Sequence, residues 1–199
     1  MIRQTVFGFK IEKTDEELTA HGGLALLAEY NHGIGLRELS DRHLPGPGSN
    51  RGYAASAFVD SLVLLLQAGG RRLEDLRELR RESPLLKLVD RALIPDSDTV
   101  GDWLRRMGDP TSGQEGLLGL GTVRDILTHR LLRREKRTDY TLDIDAMQVV
   151  GEKQDAQFTY QGEKGYMPML GYLFEPGICL ASALWTSFGR GTNPPVPAR

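Results

Sequence analysis

Apolar residues recur every three or four positions through the first two thirds of the chain and every second position afterwards. In residues 15–30, Leu18, Leu26, Leu27 and Tyr30 stand at helical spacing behind an acidic first turn, with Gly22-Gly23 weakening the front. Leu36 to His43 predicts a shorter helix that Pro45-Gly46-Pro47-Gly48 ends. Residues 52–68 are apolar on most sides and predict a buried central helix closed by Gly69-Gly70. Between Arg72 and Arg81, Leu73, Leu76 and Leu79 form a stripe at every third position, which suits an amphipathic helix. Ser83-Pro84 breaks it, and Leu85 to Asp90 predicts another short helix. Thr99 and Asp102 have the spacing of a capping box ahead of an apolar face made by Val100, Trp103, Leu104 and Met107. Gly113 to Gly121 reads as a loop, and Thr122 to Arg134 as a further helix. Trp103 and Tyr53 are expected in the core.

After Arg137 the period becomes two. Thr141, Asp143 and Asp145 alternate with Leu142, Ile144 and Ala146, the pattern of a strand with two distinct faces. A polar segment from Gly151 to Ala156 leads to strand candidates near Phe158–Tyr160 and Met167–Phe174, with Glu175-Pro176-Gly177 as a turn. The expected class is α+β: a helical region over 1–138, strands over 139–183 and an irregular, Gly- and Pro-rich tail over 184–199.

Composition narrows the function classes. The 199 residues are 40% hydrophobic with a net charge of −2, enough apolar material for one or two cores. A single cysteine, Cys179, excludes a disulfide framework and a cysteine-based zinc site, and its apolar strand predicts a buried, inert thiol. His21, His32, His43 and His129 are dispersed. No apolar core marks residues 1–13 as a secretory signal, and Asp60 and Ser61 interrupt the longest apolar run, so a cytoplasmic protein with no membrane partner is expected. Positive charge gathers at Arg71, Arg72, Arg77, Arg80 and Arg81, and again at Arg130, Arg133, Arg134, Lys136 and Arg137. Such groups neutralise phosphates or, as plain solvated faces, pair with nearby acids.

Three features carry candidate chemistry. Asp143 and Asp145 lie on one face of a strand, where carboxylates are natural ligands for a hard divalent cation; the alternative is an exposed face with two ordinary aspartates. In Tyr160-x-Gly162-x-Lys164-Gly165-Tyr166-x-Pro168 the glycines permit close approach or positive φ, and Lys164 and Tyr166 suit phosphate, sugar or base. A plain hairpin turn explains the same residues. The helix from Thr99 to Met107 presents Arg105 and Arg106, a candidate for entering a DNA groove provided a preceding helix sits at the right angle.

In order, these segments resemble DDE-type transposases of the insertion-sequence-1380 group. The stretch from Leu142 to Leu173 is similar to the opening of that family's catalytic domain, which has an Asp-bearing strand, a variable polar spacer and a Tyr-x-Gly-x-Lys-Gly-Tyr-x-Pro segment. The stretches at 21–30, 69–80 and 95–107 look like family counterparts in the same order, so the resemblance runs from about residue 8 to about Ala183. It implies an RNase-H-like fold and Mg²⁺-dependent cleavage and strand transfer at transposon ends. Asp145 would be the first catalytic and metal-binding carboxylate, transposon-end double-stranded DNA the partner, and a homo-oligomer the assembly. Met147 stands where the family usually has threonine.

The same resemblance calls for a second aspartate on a later strand and a glutamate on a later helix. After Asp145 the acids are Glu152, Asp155, Glu163 and Glu175, all in spacer or turn segments, and none follows Glu175. The expectation is therefore a truncated, catalytically inactive transposase whose incomplete RNase-H-like sheet leaves an open strand edge and an apolar face. The alternatives are a DNA-binding regulator of transposition without catalysis and a remnant without function.

Overall fold

The computed structural model describes residues 13–47, 52–90, 94–109, 114–154 and 156–184. These form seven α-helices and six short strands, a mixed α+β architecture. The chain divides into two compact units, Met1–Val123 and Arg124–Arg199, and the division falls inside the last helix, ahead of the boundary expected near 138. The tail beyond Leu184 lies outside the described residues.

The first unit is helical. Helix α1 spans Leu24–Gly33, α2 Leu36–His43 and α3 Ala55–Gln67, followed by a 3-10 turn at Leu73–Asp75. Then come α4 at Leu76–Arg81, α5 at Ser83–Leu88, α6 at Ser97–Gly108 and α7 at Gln114–Leu132. The expected central helix is α3, which buries Ala55, Phe58, Leu64 and Leu65 and packs chiefly on α2. Leu24, Leu44, Leu76, Leu79, Leu85, Val89, Ile94, Val100 and Trp103 complete the core. Trp103 stacks on Phe58 with ring centroids 4.9 Å apart, and Tyr53 meets Phe58 edge-on at 6.0 Å, so both aromatics serve packing as expected.

Three local expectations are corrected. The first helix begins at Leu24, not near residue 15, because Gly22-Gly23 occupy a turn. The preceding segment is held instead by side chains: Thr19 donates to Glu82, His21 lies 3.5 Å from the same carboxylate, and Lys87 pairs with Glu17 at 2.6 Å. The cap of α6 is not the pair Thr99 and Asp102. Asp96, in extended conformation just after Pro95, accepts from the Thr99 amide at 2.9 Å and its hydroxyl at 3.0 Å. Finally, the glycine-rich stretch read as a loop is the first half of α7. A Cβ on Gly116 would lie 2.7 Å from the Met107 sulfur, and one on Gly119 would lie 2.1 Å from the His43 carbonyl oxygen. Close packing therefore selects glycine there, and tertiary contact overrides its poor helix propensity.

The second unit holds the strands. They are β1 at Leu142–Ala146, β2 at Val149–Val150, β3 at Gln157–Phe158, β4 at Lys164–Tyr166, β5 at Pro168–Leu173 and β6 at Ile178–Leu184. They form two antiparallel sheets, β1-β5-β6 and β2-β4-β3. The two sheets share one register. Ala146 faces Met169, Met147 donates to the Pro168 carbonyl, and Val149 faces Tyr166 where the first ladder extrapolates to place it. Residues 141–151 and 164–174 are thus one long antiparallel ribbon, and β3 and β6 both add to the outer edge of 164–174, β3 beside β4 and β6 beside β5. The Phe174–Gly177 turn, with Gly177 at φ 68°, joins β5 to β6 as expected. Leu180 is an extra residue in β6, opposite the step from Gly171 to Tyr172.

Candidate functional site

Side chains alternate across a strand, so the shared register decides which candidate residues meet. Asp143 faces Tyr172, Asp145 faces Leu170 and Val149 faces Tyr166, while the Gly151 amide donates to the Lys164 carbonyl at 3.1 Å. Asp143, Asp145, Tyr166 and Lys164 therefore belong to the same face of one ribbon. Four residues separate the level of Asp145 from that of Tyr166, roughly 13 Å along a strand. The two motifs singled out in the sequence are in this way placed on one surface.

Asp145 is exposed, and one of its carboxylate oxygens accepts from the Ala146 amide at 2.8 Å. Asp143 is exposed beside Tyr172, whose hydroxyl donates to the Gly177 carbonyl at 2.9 Å. Two carboxylates on alternate strand positions offer a hard cation a pair of oxygen ligands. Among the described residues no group of three or more His, Cys, Asp or Glu is placed to hold a metal ion.

Lys164-Gly165-Tyr166 is not the turn that the sequence suggested but the middle strand of the smaller sheet. The turn precedes it, with Gly162 at φ 83° and its amide donating to the Thr159 carbonyl at 3.0 Å. Gly165 serves the other use of glycine. A Cβ there would lie 2.2 Å from the Val149 carbonyl oxygen, so the strands approach as closely as they do only without a side chain. Buried Thr159 and the Glu163 carboxylate both accept from the Gln148 side chain, at 3.0 and 3.2 Å.

Arg105 and Arg106 are exposed on α6. Arg105 pairs with Asp102 one turn earlier, the behaviour of a solvated helix face. Among the described residues the backbone of α6 lies chiefly against the 3-10 turn before α4, while its Trp103 stacks on Phe58 of α3. Arg133, Arg134, Lys136 and Arg137, at and beyond the end of α7, are exposed. Elsewhere in the first unit a cleft of about 480 Å³ is bordered by His32, Arg37 and Asp60, with buried Asp60 3.9 Å from Arg37.

Two residues of this region escaped the sequence reading. Glu175 was legible only as part of a turn, yet its carboxylate accepts from the Thr141 amide at 2.9 Å and hydroxyl at 2.8 Å and clamps the start of β1. That amide and then that hydroxyl hold the Glu175 carboxyl below its usual range. The partners are 34 residues apart, and no local pattern announces them. Cys179, expected to be buried, is exposed on β6 opposite Tyr172. No helix among the described residues is long and apolar enough to cross a membrane. Comparison of the chain with protein-family models, with curated proteins and with solved structures finds no match.

Proposed function

We propose that these residues are the helical region and opening strands of a DDE-type transposase of the insertion-sequence-1380 group, with an RNase-H-like catalytic domain beginning at β1. The observation that carries the reading is Asp145 on the β1 strand, followed in order by the Tyr160-x-Gly162-x-Lys164-Gly165-Tyr166 segment, whose Lys164 and Tyr166 share its face of one ribbon. An antiparallel run of β1, β5 and β6 with the acidic strand at its edge agrees with the start of such a sheet. In this reading Asp145 is a Mg²⁺ ligand in the complete enzyme, and Lys164 and Tyr166 lie along the path of transposon-end duplex DNA. A two-metal phosphoryl transfer needs several converging carboxylates, so this chain alone binds DNA ends without cutting them.

A gel-shift titration with duplexes taken from the DNA flanking the gene tests the proposal. The expected result is a shift at least tenfold tighter than with scrambled duplexes, weakening steeply as salt rises, with no cleavage when Mg²⁺ is added. Equal affinity for both duplexes, or none at low salt, sinks it. The exposed Arg133, Arg134, Lys136 and Arg137 favour a second reading, a DNA-binding regulator of transposition without catalysis. It predicts the same shift together with reduced mobility of an intact element in the same cell.

A further inference from the structure

The register of the ribbon also fixes where the backbone groups of β1 point. In an antiparallel ladder, directly opposed residues alternate between exchanging both hydrogen bonds and exchanging none. The Phe174 amide donates to the Thr141 carbonyl at 3.0 Å and the Met147 amide to the Pro168 carbonyl at 2.9 Å. Thr141, Asp143, Asp145 and Met147 therefore direct their amides and carbonyls toward β5. Leu142, Ile144 and Ala146 direct theirs to the opposite side, where no strand pairs among the described residues. The Ala146 amide on that side is the one covered by the Asp145 carboxylate. What remains along the edge are the backbone groups of Leu142 and Ile144, residues that are 53% and 59% exposed.

Beside this row of free donors and acceptors, the two faces of β1 differ. One carries Leu142 and Ile144, the other the exposed carboxylates of Asp143 and Asp145. Charge disfavours a second copy in the register centred on Ile144. Pairing two β1 strands antiparallel about Ile144 would set Asp143 of each chain opposite Asp145 of the other, and like charges directly opposed destabilise a ladder. An incoming strand with cationic residues opposite Asp143 and Asp145 and apolar residues opposite Leu142 and Ile144 matches both faces at once.

We propose that the outer edge of β1 is a strand-docking site for an extended peptide in which Lys or Arg alternates with branched apolar residues. Backbone pairing to Leu142 and Ile144 supplies affinity, and charge pairing with Asp143 and Asp145 supplies selectivity. The inference does not rest on the transposase reading, although it shares Asp145 with it.

The test uses the full chain and fluorescein-labelled peptides read by anisotropy. The probes are an eight-residue peptide alternating lysine and valine, a control with four lysines followed by four valines, and an alternating glutamate and valine peptide. Saturable binding of the first below 1 mM is expected, with at least tenfold weaker binding of the other two. N-methylation then reads the backbone. Antiparallel addition requires the valine amides and parallel addition the lysine amides, so methylating one alternate set abolishes binding and methylating the other leaves it within about twofold. Asp143→Asn with Asp145→Asn should weaken binding about tenfold, and Asp143→Lys with Asp145→Lys should transfer preference to the glutamate peptide, with circular dichroism confirming the fold. No binding, equal binding of the block control, or indifference to both methylation sets overturns the proposal. So does concentration-dependent dimerisation of the chain alone that protects the Leu142 and Ile144 amides from exchange, which would assign the edge to a second copy. Mg²⁺ ligation leaves no methylation signature, so the docking site and the metal reading fail separately.

Discussion

At the scale of single residues, the structure turns on a few atoms whose effects have a definite sign. The Thr99 amide, and after it the Thr99 hydroxyl, hold the Asp96 carboxyl below its ordinary value. A carboxylate lowered in the folded state adds stability above its unfolded pKa, about 3.9, and loses it as pH falls through the folded value. Asp96→Ala should therefore cost about 1 kcal/mol in urea unfolding at neutral pH, as N-cap replacements do. The gap from the parent protein should stay constant down to about pH 4 and shrink below it; a gap that widened in acid would contradict the assignment. The α7 glycines give a matched pair. Gly119→Ala places a methyl 2.1 Å from the His43 carbonyl, a rigid backbone atom, and should destabilise by about 1–3 kcal/mol. Gly121 has nothing within 4 Å of an added Cβ, so Gly121→Ala should stabilise by up to about 1 kcal/mol through helix propensity. Thermal melts of the two variants that move in the same direction would refute this account of the segment.

At the scale of elements, the two periods of the sequence announced most of what forms. Leu36–His43 is the helix its spacing predicts, the 52–68 stretch holds α3, and the alternation from Thr141 to Ala146 holds β1. These elements were legible because one short window contains both the pattern and its stop signal. What was illegible depended on distant partners. Gly116 and Gly119 read as loop residues until Met107 and His43 are known to lie against them. Lys164-Gly165-Tyr166 read as a turn because its glycine answers to Val149 across the ladder, not to a local positive φ. The candidate site was half legible: Asp145 and Tyr166 were found by spacing, but their common face needed the register. Gly165→Ala tests that register. The methyl would meet the Val149 carbonyl, so the β2 and β4 ends must part while β1 and β5 stay paired. The expected record is loss of amide protection at Gly151 and of the cross-strand nuclear Overhauser contact between Val149 and Tyr166. The contact between Asp143 and Tyr172 should be kept, and simultaneous loss of both would mean the ribbon is not built as two separable ladders.

At the scale of the whole molecule, burial is divided unevenly between the two units. From Leu24 to Val123 buried apolar residues come from every part of the helical unit, among them Leu36, Phe58, Leu76, Val100 and Trp103. After Val123 the buried hydrophobic residues among those described are Ala156, Met167 and Leu173, while Leu142, Ile144, Val150, Phe158 and Phe174 are more than half exposed. Burial of apolar surface is the main term that offsets chain entropy, so the two units should differ in free energy of opening. Hydrogen exchange on the intact chain should show amides of Leu64, Leu76 and Val100 exchanging only through global unfolding of their unit. The ribbon amides should exchange sooner, and not uniformly: Asp143, Asp145 and Met147, which donate toward β5, should outlast Leu142 and Ile144, whose amides face the open edge. The same exposed edge and apolar side chains make the strand region the expected origin of aggregation, and the aspartates of β1 are what opposes it. Replacing both with asparagine should therefore raise the sedimenting fraction at high protein concentration without slowing or speeding exchange in the helical unit. Equal protection in the two units, or no alternation along β1, would mean that the ribbon is covered by something other than solvent.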